Sequence, residues 1–231
     1  MSSFSLVIAI DGPSGSGKST IASLLADKLN IVYIDTGAMY RALGHACHAN
    51  QVPFESGEKM KSFLKTIEMN YGQSKDHLVT INGENLTKKI RDHEVSTLAS
   101  YVSKIPEVRS FLLQFQRRLA LNTLCVMEGR DIGTVVFPDA FCKFFVTASE
   151  QVRAQRRLEQ LRDNGNDVVE LEQVIKDVKK RDQADMNREV APLCQAEDAF
   201  LIDSSQKSKQ EILEIMIEKA RDRASQFGIA L

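Results

Sequence analysis

Apolar and polar positions run along this chain in alternating blocks. Five short apolar stretches stand out: Leu6-Val7-Ile8-Ala9-Ile10, Ile31-Val32-Tyr33-Ile34, Thr123-Leu124-Cys125-Val126-Met127, Lys143-Phe144-Phe145-Val146 and Phe200-Leu201-Ile202. None shows the every-second-residue polarity of a half-exposed strand, and most lead into a segment of helical character. Such runs read as strands buried on both faces, and helices between them argue a parallel sheet covered on both sides. The first strand is expected over Ser5 to Asp11, with a helix to about Leu29. A second helix starts at Ala38 and reaches about Asn50, with Thr36 placed to cap it. Later helices are expected from Ser149 to about Arg162, from a turn at Asp163-Asn164-Gly165-Asn166 to about Asn187, and from Lys209 to Gln226.

Between Val52 and Arg91 the pattern changes. A helical stretch near Glu58 to Leu64 precedes three strand-like pieces: Ile67 to Tyr71, His77 to Ile81 and Glu84 to Leu86. Asn82-Gly83 between the last two is a two-residue hairpin signal. Antiparallel strands within an otherwise alternating strand–helix chain read as an inserted subdomain. Helices follow at about Asp92 to Ser103 and, after Pro106, to about Leu121.

At 231 residues the chain is long enough to bury a full core in one main domain with an insertion. A net charge of −1 gives no global attraction to nucleic acid or to an anionic membrane. The first apolar run has no basic flank and is far too short for a signal or a membrane span. The four cysteines lack C-x-x-C spacing, so a zinc or disulfide framework is not expected, which fits a reducing, cytoplasmic setting.

The chemistry begins right after the first strand, at Gly12-Pro13-Ser14-Gly15-Ser16-Gly17-Lys18-Ser19-Thr20. This is G-x-x-x-x-G-K-[ST] with a strand before it and a helix after it. Its backbone N–H groups can wrap phosphate oxygens, and the helix N-terminus adds partial positive charge. Lys18 is placed to reach the β- and γ-phosphates of a nucleoside triphosphate, and the Ser19 hydroxyl to ligate Mg²⁺. Two other strand ends carry charge: Asp35-Thr36-Gly37 with Arg41 one turn on, and Glu128-Gly129-Arg130-Asp131. Ligands of open α/β sheets bind beyond the carboxyl ends of the strands, so these clusters are expected to share a crevice with the loop.

Arginines recur on the late helices, at Arg153, Arg156 and Arg157 and at Arg181 and Arg188, with Asp182 and Asp185 among them. On spacing alone these are solvated helix faces laced with ion pairs. No Asn-Lys-x-Asp is present to read guanine, and no core strand ends in Asp-Glu as in motor-type ATPases. A small-molecule kinase remains, in which arginines stabilise the charge of the transferring group.

With these segments in view, the chain resembles the bacterial cytidylate kinases. The matching pieces are I-D-G-P-S-G-S-G-K-S-T, D-T-G-A-M-Y-R, the spacing from Ser100 to Arg109, G-R-D-I-G-T-V-V-F-P-D-A, R-A-Q-R-R, and R-D-x-x-D-x-N-R followed by A-P-L. They occur in family order from Ile10 to Leu193. The resemblance implies a P-loop NTPase fold of class α/β: a parallel five-stranded sheet with helices on both faces, an inserted nucleoside monophosphate (NMP)-binding subdomain with a small antiparallel sheet, and a helical lid. It assigns residues 1–35, 104–150 and 190–231 to the core, 36–103 to the NMP-binding region and 151–189 to the lid. It implies transfer of phosphate from ATP, with Mg²⁺, to CMP or dCMP by a cytoplasmic monomer, with no nucleic-acid or membrane partner.

The same resemblance places Ser100, Arg109 and Asp131 around cytosine. It puts Arg41 and Arg130 on the monophosphate with Arg188 nearby, Thr36 beside the acceptor, and Arg181 and Asp185 on the sugar hydroxyls. Arg153 and Arg157 would close over the ATP phosphates. The chain departs from the common pattern at Thr36, where serine is frequent, at Met186, where some members carry arginine, and at Glu128, where aspartate is frequent. Another acceptor, such as UMP, a different nucleoside monophosphate or a small alcohol, is the nearest alternative; a nucleotide-binding switch without turnover is the other.

Overall fold

The computed structural model describes residues 4–74, 76–163 and 169–231, which form two compact units, Met1–Ile34 with Ala120–Leu231 and Asp35–Leu119. The turn expected over 163–166 lies, beyond Asp163, outside the described residues.

The first unit is built on a five-stranded parallel sheet. Its strands are β1 (Ser5–Asp11), β2 (Val32–Asp35), β6 (Cys125–Gly129), β7 (Ala140–Thr147) and β8 (Phe200–Asp203), in the order β2-β6-β1-β7-β8. From central β1 the chain fills one side of the sheet and then crosses to the other. The order therefore reverses at β1, and the loop that leaves β1 sits at the switch point where such sheets bind ligands. Ile8 and Ile10 of β1, Val126, Phe144, Val146 and Ile202 meet Ile21 and Leu25 of α1 (Lys18–Leu29) and Ile212 and Met216 of α8 (Lys209–Gln226) in one buried core. Ser208 and Glu211 close a reciprocal capping box at the start of α8.

Strand β7 begins three residues before the apolar run that announced it, because Lys143 lies inside the strand rather than at its border. The lysine is buried, and its ammonium donates to the Pro138 carbonyl at 2.7 Å and to Asp198 at 2.9 Å. Cys125 and Cys142 are buried in strands and Cys47 in a helix, where burial pushes each thiol up to about 12; Cys194 is exposed.

The second unit holds α2 (Thr36–Ala49), α3 (Glu58–Lys65), the antiparallel sheet β3 (Met69–Tyr71), β4 (Val79–Ile81) and β5 (Glu84–Asn85), then α4 (His93–Val102) and α5 (Pro106–Leu119). Asn82 and Gly83 both take positive φ, 51° and 80°, as a two-residue hairpin turn of this hand requires. By its contacts α5 groups with this unit, whereas the sequence reading puts 104–119 in the core. The α2 cap also differs from the sequence reading. Asp35, still extended at the end of β2, accepts the Ala38 N–H at 2.9 Å and is the cap; Thr36 is the first helical residue and is buried.

Candidate active site

In the first unit, β1 ends at Asp11 and the chain turns straight into Gly12–Thr20. A side chain at Gly12 would put its Cβ 2.0 Å from the Val146 carbonyl oxygen, and one at Gly15 would lie 2.9 Å from the Arg153 carbonyl. Both glycines are therefore set by close backbone approach as well as by positive φ. The carbonyls of Pro13, Ser14 and Ser16 accept from Lys18 (3.3 Å), Arg153 (3.2 Å) and the Ser204 hydroxyl (2.9 Å). Three dipoles that would repel an anion are thus committed to donors. Gly17 caps α1, and Ser19 and Thr20 are exposed on its first turn.

Lys18 is buried, with its ammonium 4.0 Å from Glu128 Oε2. The other oxygen of Glu128 accepts the Tyr33 hydroxyl at 2.8 Å. The Ser16 hydroxyl is buried with no hydrogen-bond partner. A buried ammonium, an unsatisfied hydroxyl and an exposed hydroxyl around a tight glycine loop fit a polyphosphate. Among the described residues no group of three or more His, Cys, Asp or Glu is arranged to hold a metal ion. A divalent cation bound with the polyphosphate would find the exposed Ser19 hydroxyl as a protein ligand.

Past β6, Arg130 and Asp131 open a wide turn over Ile132–Val136, in which the Val136 N–H reaches the Asp131 carbonyl and the Phe137 N–H the Ile132 carbonyl, at 3.1 and 2.7 Å. Such five-residue turns are uncommon and cluster at functional sites. Asp11 accepts the first two amides of the turn, Ile132 at 2.8 Å and Gly133 at 2.7 Å. Burial pushes the Asp11 carboxyl up to about 7, against the pull of those two hydrogen bonds.

Arg130 donates through Nε to Asp185 at 3.1 Å and through Nη1 to the Gly129 carbonyl at 3.2 Å. Arg188 lies 3.5 Å from Asp131 and donates to the Ala191 carbonyl. Burial alone would raise the Asp185 carboxyl, but the charges of Arg130, Arg181 and Arg188 outweigh it and hold the group below the usual carboxylate range. The structure thus brings Arg130, Asp131, Asp185 and Arg188 into alternating ion pairs, with the Arg181 charge acting on the same carboxylate.

Arg153 and Arg157 share helix α6 (Glu150–Asp163) but have different surroundings. Arg153 is buried: it donates to the Ala148 carbonyl at 2.9 Å and to Ser14 in the loop, and pairs with Asp182 of α7 (Leu171–Met186) at 2.6 Å. Arg157 is half-buried and reaches Gln160 on its own helix at 3.4 Å. Between them Arg156 donates to the Ser16 carbonyl and to Ser204. Sequence reasoning gave Arg156 no site role, although its three-residue offset from Arg153 puts both on one helix face.

The second unit holds the remaining expected residues. Arg41 donates to Asp35 Oδ2 at 2.9 Å while Oδ1 caps α2, and the Asp35 N–H donates to the Tyr71 hydroxyl of β3 at 2.7 Å. Arg109 is buried on α5, donating to the Ser103 carbonyl at 3.2 Å with its guanidinium 5.9 Å from the Tyr40 ring centroid. Ser100 is half-buried on α4, where its carbonyl accepts the Ser103 hydroxyl at 3.0 Å. Tyr33 and Tyr71 had no motif to mark them; Asp11 lies in the segment I-D-G-P-S-G-S-G-K-S-T, but nothing in the sequence gave it a role beyond a charge ending an apolar strand.

A parallel sheet with a glycine loop and buried lysine at its switch point defines a P-loop nucleotide-binding protein of the kinase type. The family model described as "Cytidylate kinase" matches residues 8–222. A cytidylate kinase of Caldicellulosiruptor bescii is 47% identical over 212 residues, covering 91% of this chain and 93% of that protein. Those of Clostridioides difficile and a Shewanella species are each 42% identical, covering 93% and 97% of this chain and 97% and 99% of their own lengths. The chain belongs to the cytidylate kinase family.

Proposed function

We propose that this chain transfers the γ-phosphate of ATP to CMP or dCMP, giving ADP and CDP or dCDP. The observation that carries this reading is the two ion pairs Arg130–Asp185 and Arg188–Asp131, with both carboxylates buried and both arginines part-buried, in the unit that holds the phosphate loop and Lys18. They supply fixed cations for an anionic acceptor and a fixed carboxylate, Asp131, able to accept from an exocyclic amine.

Lys18 holds the β- and γ-phosphates and the loop amides cradle them; Ser19 would hold a Mg²⁺ ion, which when bound would neutralise charge on the transferring group. Arg41 and Arg130 hold the acceptor phosphate with Arg188, and Thr36 lies beside it. Ser100, Arg109 and Asp131 read cytosine, and Arg181 and Asp185 hold the sugar hydroxyls. Arg153 and Arg157 serve the ATP phosphates, Arg153 through its grip on the Ser14 carbonyl. The acceptor is already a phosphate anion, so no strong base is required. Repulsion between two anions is the barrier, and neutralisation with in-line placement is what the arginines provide.

The same reading treats residues 36–103 as the NMP-binding region and 151–189 as a lid that excludes water on closing. It also includes a monomer in the cytoplasm; among the described residues no helix is long and apolar enough to cross a membrane. The test is ADP release from ATP and Mg²⁺ with CMP, dCMP, UMP, AMP or GMP, beside a Lys18→Ala control. Turnover with CMP and dCMP, lost in the control, is expected. Equal use of UMP would overturn the role of Asp131, and turnover with none of the five would overturn the acceptor.

A further inference from the structure

The residue just before the phosphate loop holds the turn just after Arg130 and Asp131. Asp11 ends β1, only 5% exposed, and its two carboxylate oxygens accept the Ile132 and Gly133 amides at 2.8 and 2.7 Å across 121 and 122 residues of sequence. These are the leading N–H groups of a one-turn helix, which have no partner inside the turn. Buried without one, each would carry the cost of an unmade hydrogen bond, so the turn has this shape only while a double acceptor faces it.

Neighbouring groups leave the turn little room to shift. A Cβ on Gly133 would lie 3.1 Å from the buried stem of Lys143 and 3.4 Å from Asp11 Oδ2. Lys143 in turn is fixed by the Pro138 carbonyl, just past the turn, and by Asp198. β1 and β6 are paired in register up to Asp11 and Gly129, so the strand that launches the loop and the strand that launches Arg130 end side by side.

From this geometry we infer that Asp11 is a positioning residue for the acceptor: by clamping the Ile132 and Gly133 amides it fixes Arg130 and Asp131 in place relative to the phosphate loop. The inference rests on the reading of Arg130 and Asp131 as acceptor-binding. Asparagine has the same shape as aspartate but offers one acceptor oxygen and one amide donor. In Asp11→Asn one of the two backbone N–H groups therefore faces another donor.

The experiment measures kcat and KM for CMP and for ATP in the wild type, Asp11→Asn and Arg130→Ala, with backbone amide exchange at Ile132 and Gly133. Loss of one charge-assisted bond is expected to lower kcat/KM for CMP by about ten- to a hundredfold while KM for ATP stays within about twofold. Exchange at the two amides should quicken while that of β6 does not. A uniform loss of active enzyme, or equal loss toward both substrates, would mean a purely structural role and overturn the inference. So would unchanged kinetics in Asp11→Asn where Arg130→Ala raises KM for CMP. If Arg130→Ala itself leaves CMP use intact, the fault lies in the acceptor reading, and the inference falls with it. Should Asp11→Asn not fold, Gly133→Ala keeps the carboxylate and presses the turn against Lys143. The same CMP-selective loss is then expected, and its absence overturns the inference.

Discussion

The two units anchor their arginines in different ways. In the second unit Arg41 bonds Asp35 and Arg109 bonds the Ser103 carbonyl, each six residues away along the chain. The first unit has local bonds too, Arg157 to Gln160 and Arg188 to Ala191, but adds distant ones: Arg130 reaches Asp185 over 55 residues, Arg153 reaches Ser14 over 139, and Arg156 reaches Ser16 over 140. A local pair forms as soon as its helix does. A distant one forms only when the whole unit has folded, so its energy belongs to the fold and the site together. Substitutions at the long-range pairs should therefore couple stability to activity, and those at local contacts should separate them.

The strongest way to break the contrast is Asp182→Ala. It leaves the buried Arg153 guanidinium without its carboxylate, and removing one member of a buried pair costs about 3–5 kcal/mol. Denaturant unfolding should show a loss of that size, with weaker ATP use alongside it because Arg153 also holds the Ser14 carbonyl.

Next comes the pH dependence of Asp11. Burial raises its carboxyl in the folded state from 3.8 to about 7. A raised carboxyl contributes stability that is fully present below the unfolded value and is lost as pH rises through the folded one. Relative to Asp11→Asn, wild-type stability should fall between pH 3.8 and about 7 and then level off, as followed by unfolding midpoints across that range. A flat difference would mean that the two amide bonds outweigh burial.

A smaller effect is expected for Asp35→Ala, which removes a helix cap and a partly exposed ion pair for about 1–2 kcal/mol. Here KM for CMP should rise through Arg41 beyond what the stability loss explains. The smallest stability change belongs to Arg157→Ala. A half-buried side chain of this kind should change unfolding free energy by less than about 0.5 kcal/mol, so any fall in kcat would report its role at the phosphates alone.

The contrast also explains what could be read without coordinates. Continuous apolar runs gave away all five core strands: the three central ones because a strand covered on both faces has no polar alternation, and the edge strands β2 and β8 because their runs are apolar although Val32 and Leu201 are exposed. Asn82-Gly83 gave away the hairpin because few residue pairs accept two positive φ angles. The loop from Gly12 to Thr20 was legible because its chemistry is contiguous. Less accessible was anything that depends on a distant partner. The start of β7 was hidden by Lys143, whose charge is met by Asp198 from far along the chain. Arg153 and Arg157 look alike in sequence, and only packing against α7 and the loop makes one buried and the other not. Even the α2 cap was misassigned by one residue, since Asp35 and Thr36 both cap well and the choice depends on where β2 stops.

The cysteines have a practical consequence. Three are sealed in the interior as protonated thiols and one, Cys194, is exposed. A maleimide dye added to the native wild-type chain would find a single address, while the denatured chain would offer four. The number of dyes per molecule, read by mass, therefore counts opening events directly, with no engineered reporter.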